Sequence, residues 1–113
     1  MEINNIKIPK SFFLYSRKFK VEFDKKLIDE SNWTGMAAFR EKKIKLQPLT
    51  EANNREQIDV EQTFFHELTH WILHEAEYEK LNDNEIFVER FSKLLHQALS
   101  TAEYEEPNDC EGV

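Results

Sequence analysis

The sequence predicts a small α+β domain, and three observations predict it. The first half alternates apolar and polar residues with period two, the second half spaces apolar residues three and four apart, and breakers are scarce, with two Gly and three Pro. At 113 residues the chain is one domain at most. Nine Phe and two Trp supply large apolar side chains for its core.

From about Phe12 to Leu49 the pattern is strand-like. Phe19, Val21 and Phe23 alternate with Lys20, Glu22 and Asp24. Trp33 to Phe39 reads as a strand entered at Gly35, and Arg40-Glu41-Lys42-Lys43 as the turn that follows, although it lacks a strong turn dipeptide. Ile44 and Leu46 alternate with Lys43, Lys45 and Gln47 until Pro48 ends the run. The expectation is a small, mostly antiparallel sheet of about three strands, with Ser11 to Ser16 either a short helical turn or a further strand.

Thr50 to Gln57 is polar and reads as a loop. A helix should begin near Ile58 to Glu61 and run to about Glu77, with Phe64, Leu68, Trp71 or Ile72, and Glu75 or Ala76 on one face. Tyr78 to Asn82 makes a short connection. A second helix, capped at Asn82 or Asp83, runs to about Ala102 and carries the stripe Phe87, Val88, Phe91, Leu94, Leu95, Ala98 and Leu99. Residues 1–102 thus form the domain, and 103–113, acidic and holding Pro107, a flexible tail.

Charge and cysteine usage bound the partners. A formal net charge of −7 argues against nucleic acid, which needs a basic surface. The basic run Lys7, Lys10, Arg17, Lys18, Lys20, Lys25 and Lys26 alternates with apolar residues and reads as a solvated strand face. The N-terminus has neither a basic nor an apolar signal region, and no apolar run approaches the roughly 20 residues that span a bilayer. The lone Cys110 has no partner for an internal disulfide and reads as an inert thiol, so a cytoplasmic location is expected.

The chemistry is concentrated in Thr63-Phe64-Phe65-His66-Glu67-Leu68-Thr69-His70. His66 and His70, four apart, lie one turn above each other on a helical face and can reach a single ion. Glu67 follows the first histidine directly and stands where a base must stand to take a proton from water activated by a metal. His74 continues the four-residue series. However, it lies about 12 Å along the axis from His66, too far for three rings to share one tetrahedral ion. The longer motif with Gly at 73 and His at 76 is not met, since Leu73 and Ala76 stand there.

A third ligand must therefore come from elsewhere. Glu85 and Glu89, four apart on the second helix, face one way and can be turned towards His66 and His70 by an antiparallel helix pair. Glu85 is also placed to be a capping residue three positions after Asn82. Glu89 is either a hydrogen-bond acceptor for a ligand imidazole or an ordinary exposed salt-bridge glutamate. Glu85 is the expected ligand, with Glu89 as the other candidate.

His66-Glu67-Leu68-Thr69-His70 followed by Asn84-Glu85-Ile86-Phe87-Val88-Glu89 resembles the pattern of gluzincin metallopeptidases. The gap of 14 residues between His70 and Glu85 is shorter than in thermolysin-like members. In that respect the chain is more similar to minimal gluzincins and to the ImmA/IrrE-type peptidases of mobile elements, and a phage or prophage protein has this layout. The resemblance covers about Gln62 to Leu99. It implies a minimal zincin fold, a short sheet on the motif helix followed by the glutamate helix, with an edge strand (Thr34 to Phe39 or Ile44 to Pro48) beside the cleft to hold an extended peptide. It also implies one Zn²⁺ held by His66, His70 and Glu85, with Glu67 as general base and Glu89 behind a ligand imidazole. The chain is too short for the second domain that supplies transition-state donors in thermolysin-like enzymes. His74, His96 and Tyr78 are the candidates for that role, each of a type more often structural.

The expected activity is zinc-dependent hydrolysis of a peptide bond in a specific protein target. The alternatives are a zinc-binding interaction module without activity and a metal-free domain whose histidines are solvated. Ligand chemistry favours zinc, but other divalent ions suit the same donors.

Overall fold

The computed structural model describes residues 1–25, 35–38, 40–49 and 56–105. The α+β class is as expected, and the element order is β1 (Ser11–Leu14), β2 (Arg17–Phe23), β3 (Gly35–Ala38), β4 (Lys43–Leu46), α1 (Gln57–Glu75), α2 (Glu79–Asn82) and α3 (Glu85–Ser100). Among the described residues the sheet has four strands in the order β1-β2-β4-β3, not three. The added strand is β1, in the stretch where the sequence allowed helix or strand. Phe12 faces Phe19 across the β1–β2 ladder and the two rings stack at 5.4 Å, so β1 gains a cross-strand aromatic pair.

Two pairings are antiparallel, β1–β2 and β3–β4, and β2–β4 is parallel. The parallel pair arises because β4 folds back between β2 and β3 through the expected turn, in which Lys42 takes a φ of 53° and Glu41 N–H donates to Ala38 at 3.1 Å. As a result β4 is paired on both sides, and of the two strands considered for peptide binding only β3 lies at an edge. Trp33, Thr34 and Phe39, the loop at 50–55 and most of the expected tail, with Cys110, lie outside the described residues. Lys7, Lys10, Arg17, Lys18, Lys20 and Lys25 are exposed, as the solvated reading of the basic run requires.

One face of α1 closes the sheet. Phe19, Ile44, Leu46, Val60, Phe64, Phe65 and Trp71 form the buried cluster. Phe19 meets Trp71 at 4.6 Å, and Trp71 Nε1 donates to the Lys43 carbonyl at 3.1 Å, tying helix to sheet. Ile72 is exposed, so the choice left open between it and Trp71 falls to Trp71.

The helix ends differ from expectation in an instructive way. Capping at Glu56 and Asp59 starts α1, through reciprocal side-chain and backbone bonds. At its far end Glu77, at φ 64°, donates to His74, and Tyr78 N–H donates to Leu73 at 2.9 Å. That is a Schellman turn with glutamate where glycine is usual, so the sequence does not announce it. The expected connection folds into the single turn α2. Asn84, not Asn82 or Asp83, caps α3, its Oδ1 accepting from Phe87 N–H at 3.1 Å. Glu85 is consequently the first residue of α3 and not its capping partner.

The expected apolar stripe on α3 is also displaced. Val88, Ser92, His96 and Ser100 are buried, whereas Phe91, Leu94 and Leu99 are exposed. At about 100° per residue, Glu85, Glu89, Ser92 and His96 share one arc, and Phe87, Phe91, Leu94 and Ala98 lie nearly opposite. Turning the two glutamates towards α1 turns those aromatic and aliphatic residues away from it.

Candidate metal centre

Two helices bring the ligands together. His66 and His70 sit one turn apart on α1, with ring centroids 5.0 Å apart and rings nearly perpendicular. Glu85 reaches across from the first turn of α3. Its Oε2 lies 3.4 Å from His66 Nε2 and its Oε1 lies 3.1 Å from His70 Nε2. The three donor atoms all fall within 4.8 Å of one another.

The outward nitrogens have their own partners. His66 Nδ1–H donates to Glu89 Oε1 at 3.3 Å, and His70 Nδ1–H donates to Asn82 Oδ1 at 2.6 Å. Glu89 thus accepts from His66, and its Oε2 also lies 3.5 Å from Lys93 Nζ. Asn82 was expected as a helix cap and is instead a partner of His70, held at the end of α2 with only 8 % of its surface exposed. No local signal in the sequence marks it, since only the path of α2 brings it to the ring.

Donation from each Nδ1 to its acceptor corresponds to one tautomer of each ring. With each Nδ1 carrying the proton, each Nε2 presents a bare lone pair to a carboxylate oxygen. In that tautomer two ring nitrogens and a carboxylate converge with no donor among them, an arrangement that a cation would relieve. A tetrahedral zinc site with ligands at about 2.0–2.1 Å has ligand–ligand edges of about 3.3–3.4 Å. The two Glu85–imidazole separations, each to a different carboxylate oxygen, lie near that edge, and two imidazoles with one carboxylate are a donor set zinc accepts. The residues fit the ion.

Glu67 lies on the sheet side of the histidines. Its carboxylate accepts a hydrogen bond from the Ala37 backbone N–H. Burial pushes its carboxyl above the ordinary carboxylate range; the two imidazoles pull the other way, and Glu85 pushes it further up. Gly35 permits this approach of β3 to α1. A Cβ there would stand 2.5 Å from Thr63 Cγ2 and 3.4 Å from Glu67 Cγ, so a side chain would force the strand off the helix.

Two hollows flank His66. One of about 470 Å³ is lined by Thr63, His66, Glu67 and Glu89 among others, and one of about 350 Å³ by His66, Glu85, Ile86, Glu89 and Arg90. The other residues considered from sequence do not join the centre. His74 Nδ1–H donates to exposed Glu79 at 3.1 Å, Tyr78 is 60 % exposed, and His96 is buried against Glu61. Among the described residues no helix is long and apolar enough to cross a membrane. No protein family, curated protein or solved structure matches this chain.

Proposed function

We propose that the protein is a zinc-dependent metallopeptidase of the gluzincin type that hydrolyses a peptide bond in a specific protein target. One observation carries the reading: both Nε2 lone pairs face the Glu85 carboxylate at 3.1 and 3.4 Å while both Nδ1 atoms are held from behind by Glu89 and Asn82. His66, His70 and Glu85 hold the ion. When bound there, zinc acts as a Lewis acid on a carbonyl oxygen and lowers the pKa of water to about 7.

The chain supplies the rest. Glu67, with a carboxyl raised by burial, takes a proton from the attacking water at a carboxylate oxygen and delivers it to the leaving amine nitrogen. The Ala37 N–H holds that carboxylate in place. The edge strand β3 runs beside Glu67 and offers an extended peptide a strand to pair with, next to the reacting groups. This arrangement of sheet, motif helix and glutamate helix supports a minimal zincin fold.

The test is metal content by mass spectrometry together with cleavage of an unstructured protein such as casein, read by mass spectrometry of the products. Wild type should carry about one zinc per chain, as a one-site reading requires, and His66→Ala none. Glu67→Gln should keep the metal and lose turnover by about 10²-fold or more. Cleavage by Glu67→Gln at the wild-type rate would end the general-base assignment.

A second reading, a zinc-binding interaction module without activity, has one observation in its favour. None of His74, Tyr78 and His96 lines either hollow, so none is placed to stabilise a developing oxyanion. A wild type that binds zinc and cleaves neither casein nor an unbiased peptide library decides for that module.

A further inference from the structure

We infer that the buried Glu61–His96 pair is a positioning pair that sets the register of α3 against α1 and thereby the geometry of the metal ligands. The inference rests on the metal reading above. Glu61 lies five residues before His66 on α1, and His96 seven residues after Glu89 on α3. His96 Nε2–H donates to Glu61 Oε1 at 2.9 Å, and each residue is 1 % exposed. The Phe65 ring meets the His96 ring edge-on at 5.6 Å and orients it.

Stability does not account for this pair. Glu61 Oε2 is buried without a hydrogen-bond partner, an uncompensated desolvation that an apolar side chain would not suffer. Replacing a buried polar pair with well-packed apolar residues is commonly neutral or stabilising, and the best-attested use of such pairs is to select one register. Apart from Leu95, which packs against the core, α3 offers α1 few large apolar side chains. The rest of the buried stripe of α3 is Val88, Ser92 and Ser100, side chains too small to interlock. A slip of one residue displaces a helix by about 1.5 Å along its axis. That is about half the distance from Glu85 to either Nε2, so such a slip would break the ligand set. A directional hydrogen bond, five residues before His66 on α1 and eleven residues after Glu85 on α3, excludes that slip.

The experiment compares wild type with two double variants, Glu61→Leu with His96→Leu and the exchanged pair Glu61→His with His96→Glu. Zinc affinity is read by competition with a chelating dye, melting temperature on the metal-free proteins, and ligand geometry from the visible spectrum of the Co²⁺-loaded forms. The leucine pair should melt no lower than wild type, bind zinc at least about tenfold more weakly, and show an altered Co²⁺ spectrum. The exchanged pair, which restores the bond, should recover affinity to within about threefold and the wild-type spectrum. Wild-type affinity and spectrum in the leucine pair would overturn the proposal. If the leucine pair does not fold, the exchanged pair decides: recovery supports the proposal, and a tenfold or greater loss overturns it. Absence of zinc binding by wild type sinks the metal reading and this one together, whereas wild-type binding with an indifferent leucine pair sinks this one alone.

Discussion

An imidazole offers a lone pair to a metal only at the nitrogen that lacks the proton, so whatever accepts from Nδ1 decides what Nε2 can do. Glu89 does this for His66 and Asn82 for His70, the latter through the shorter bond, at 2.6 Å. Asn82→Ala leaves His70 free to change tautomer and to rotate, and zinc affinity should fall about 10- to 100-fold. Asn82→Asp, which keeps the acceptor, should fall far less. Competition with a chelating dye reads both, and an alanine variant within twofold of wild type would remove Asn82 from the site. The ligand residues were legible in the sequence because helical spacing alone puts His66 above His70 and aims Glu85 with Glu89. Asn82 was not, because asparagine suits a helix cap equally well and only the tertiary path of α2 brings it to the ring. Glu61 and His96 were hidden for a related reason, since nothing local pairs residues 35 positions apart.

At the scale of the element, two expectations for α3 compete. Its apolar residues ask for one side of the helix to be buried, and its glutamates ask for nearly the opposite side to face α1. The glutamates prevail, and the core-facing positions are filled by Val88, Ser92, His96 and Ser100. The periodicity read from the sequence was real, but it marks a surface on which Leu94 is 66 % exposed and Phe91 46 %. Substitutions should therefore act against hydrophobic intuition. Leu94→Ser removes an exposed side chain and should change stability by less than about 0.5 kcal/mol. Ser92→Leu forces three extra carbons into a site 1 % exposed and should cost about 1–3 kcal/mol. Urea denaturation of the two variants measures both, and the reverse order of stabilities would mean that α3 presents its other face to α1.

For the whole molecule the question is whether the metal makes the fold or the fold makes the metal site. The core of Phe19, Ile44, Leu46, Val60, Phe64 and Trp71 joins the sheet to one face of α1, while the ligands lie on another face, turned to α3. Each fully buried side chain of this size contributes about 1.5–3 kcal/mol, so the sheet and α1 have their own reason to stay folded. The metal-free protein should accordingly unfold in a cooperative thermal transition, unlike a zinc finger. Zinc binds only the folded arrangement of α1 and α3, so at a free concentration of 100 times the dissociation constant it should add about 2.7 kcal/mol. For a domain of this size that raises the melting temperature by about 10 °C. The shift should vanish in His70→Ala, which lacks a ligand but keeps the core. Differential scanning calorimetry with zinc and with a chelator separates the possibilities. An unfolded chelated protein would show that the core is insufficient without the ion. An equal melting temperature in zinc and chelator would show that His66, His70 and Glu85 do not hold zinc.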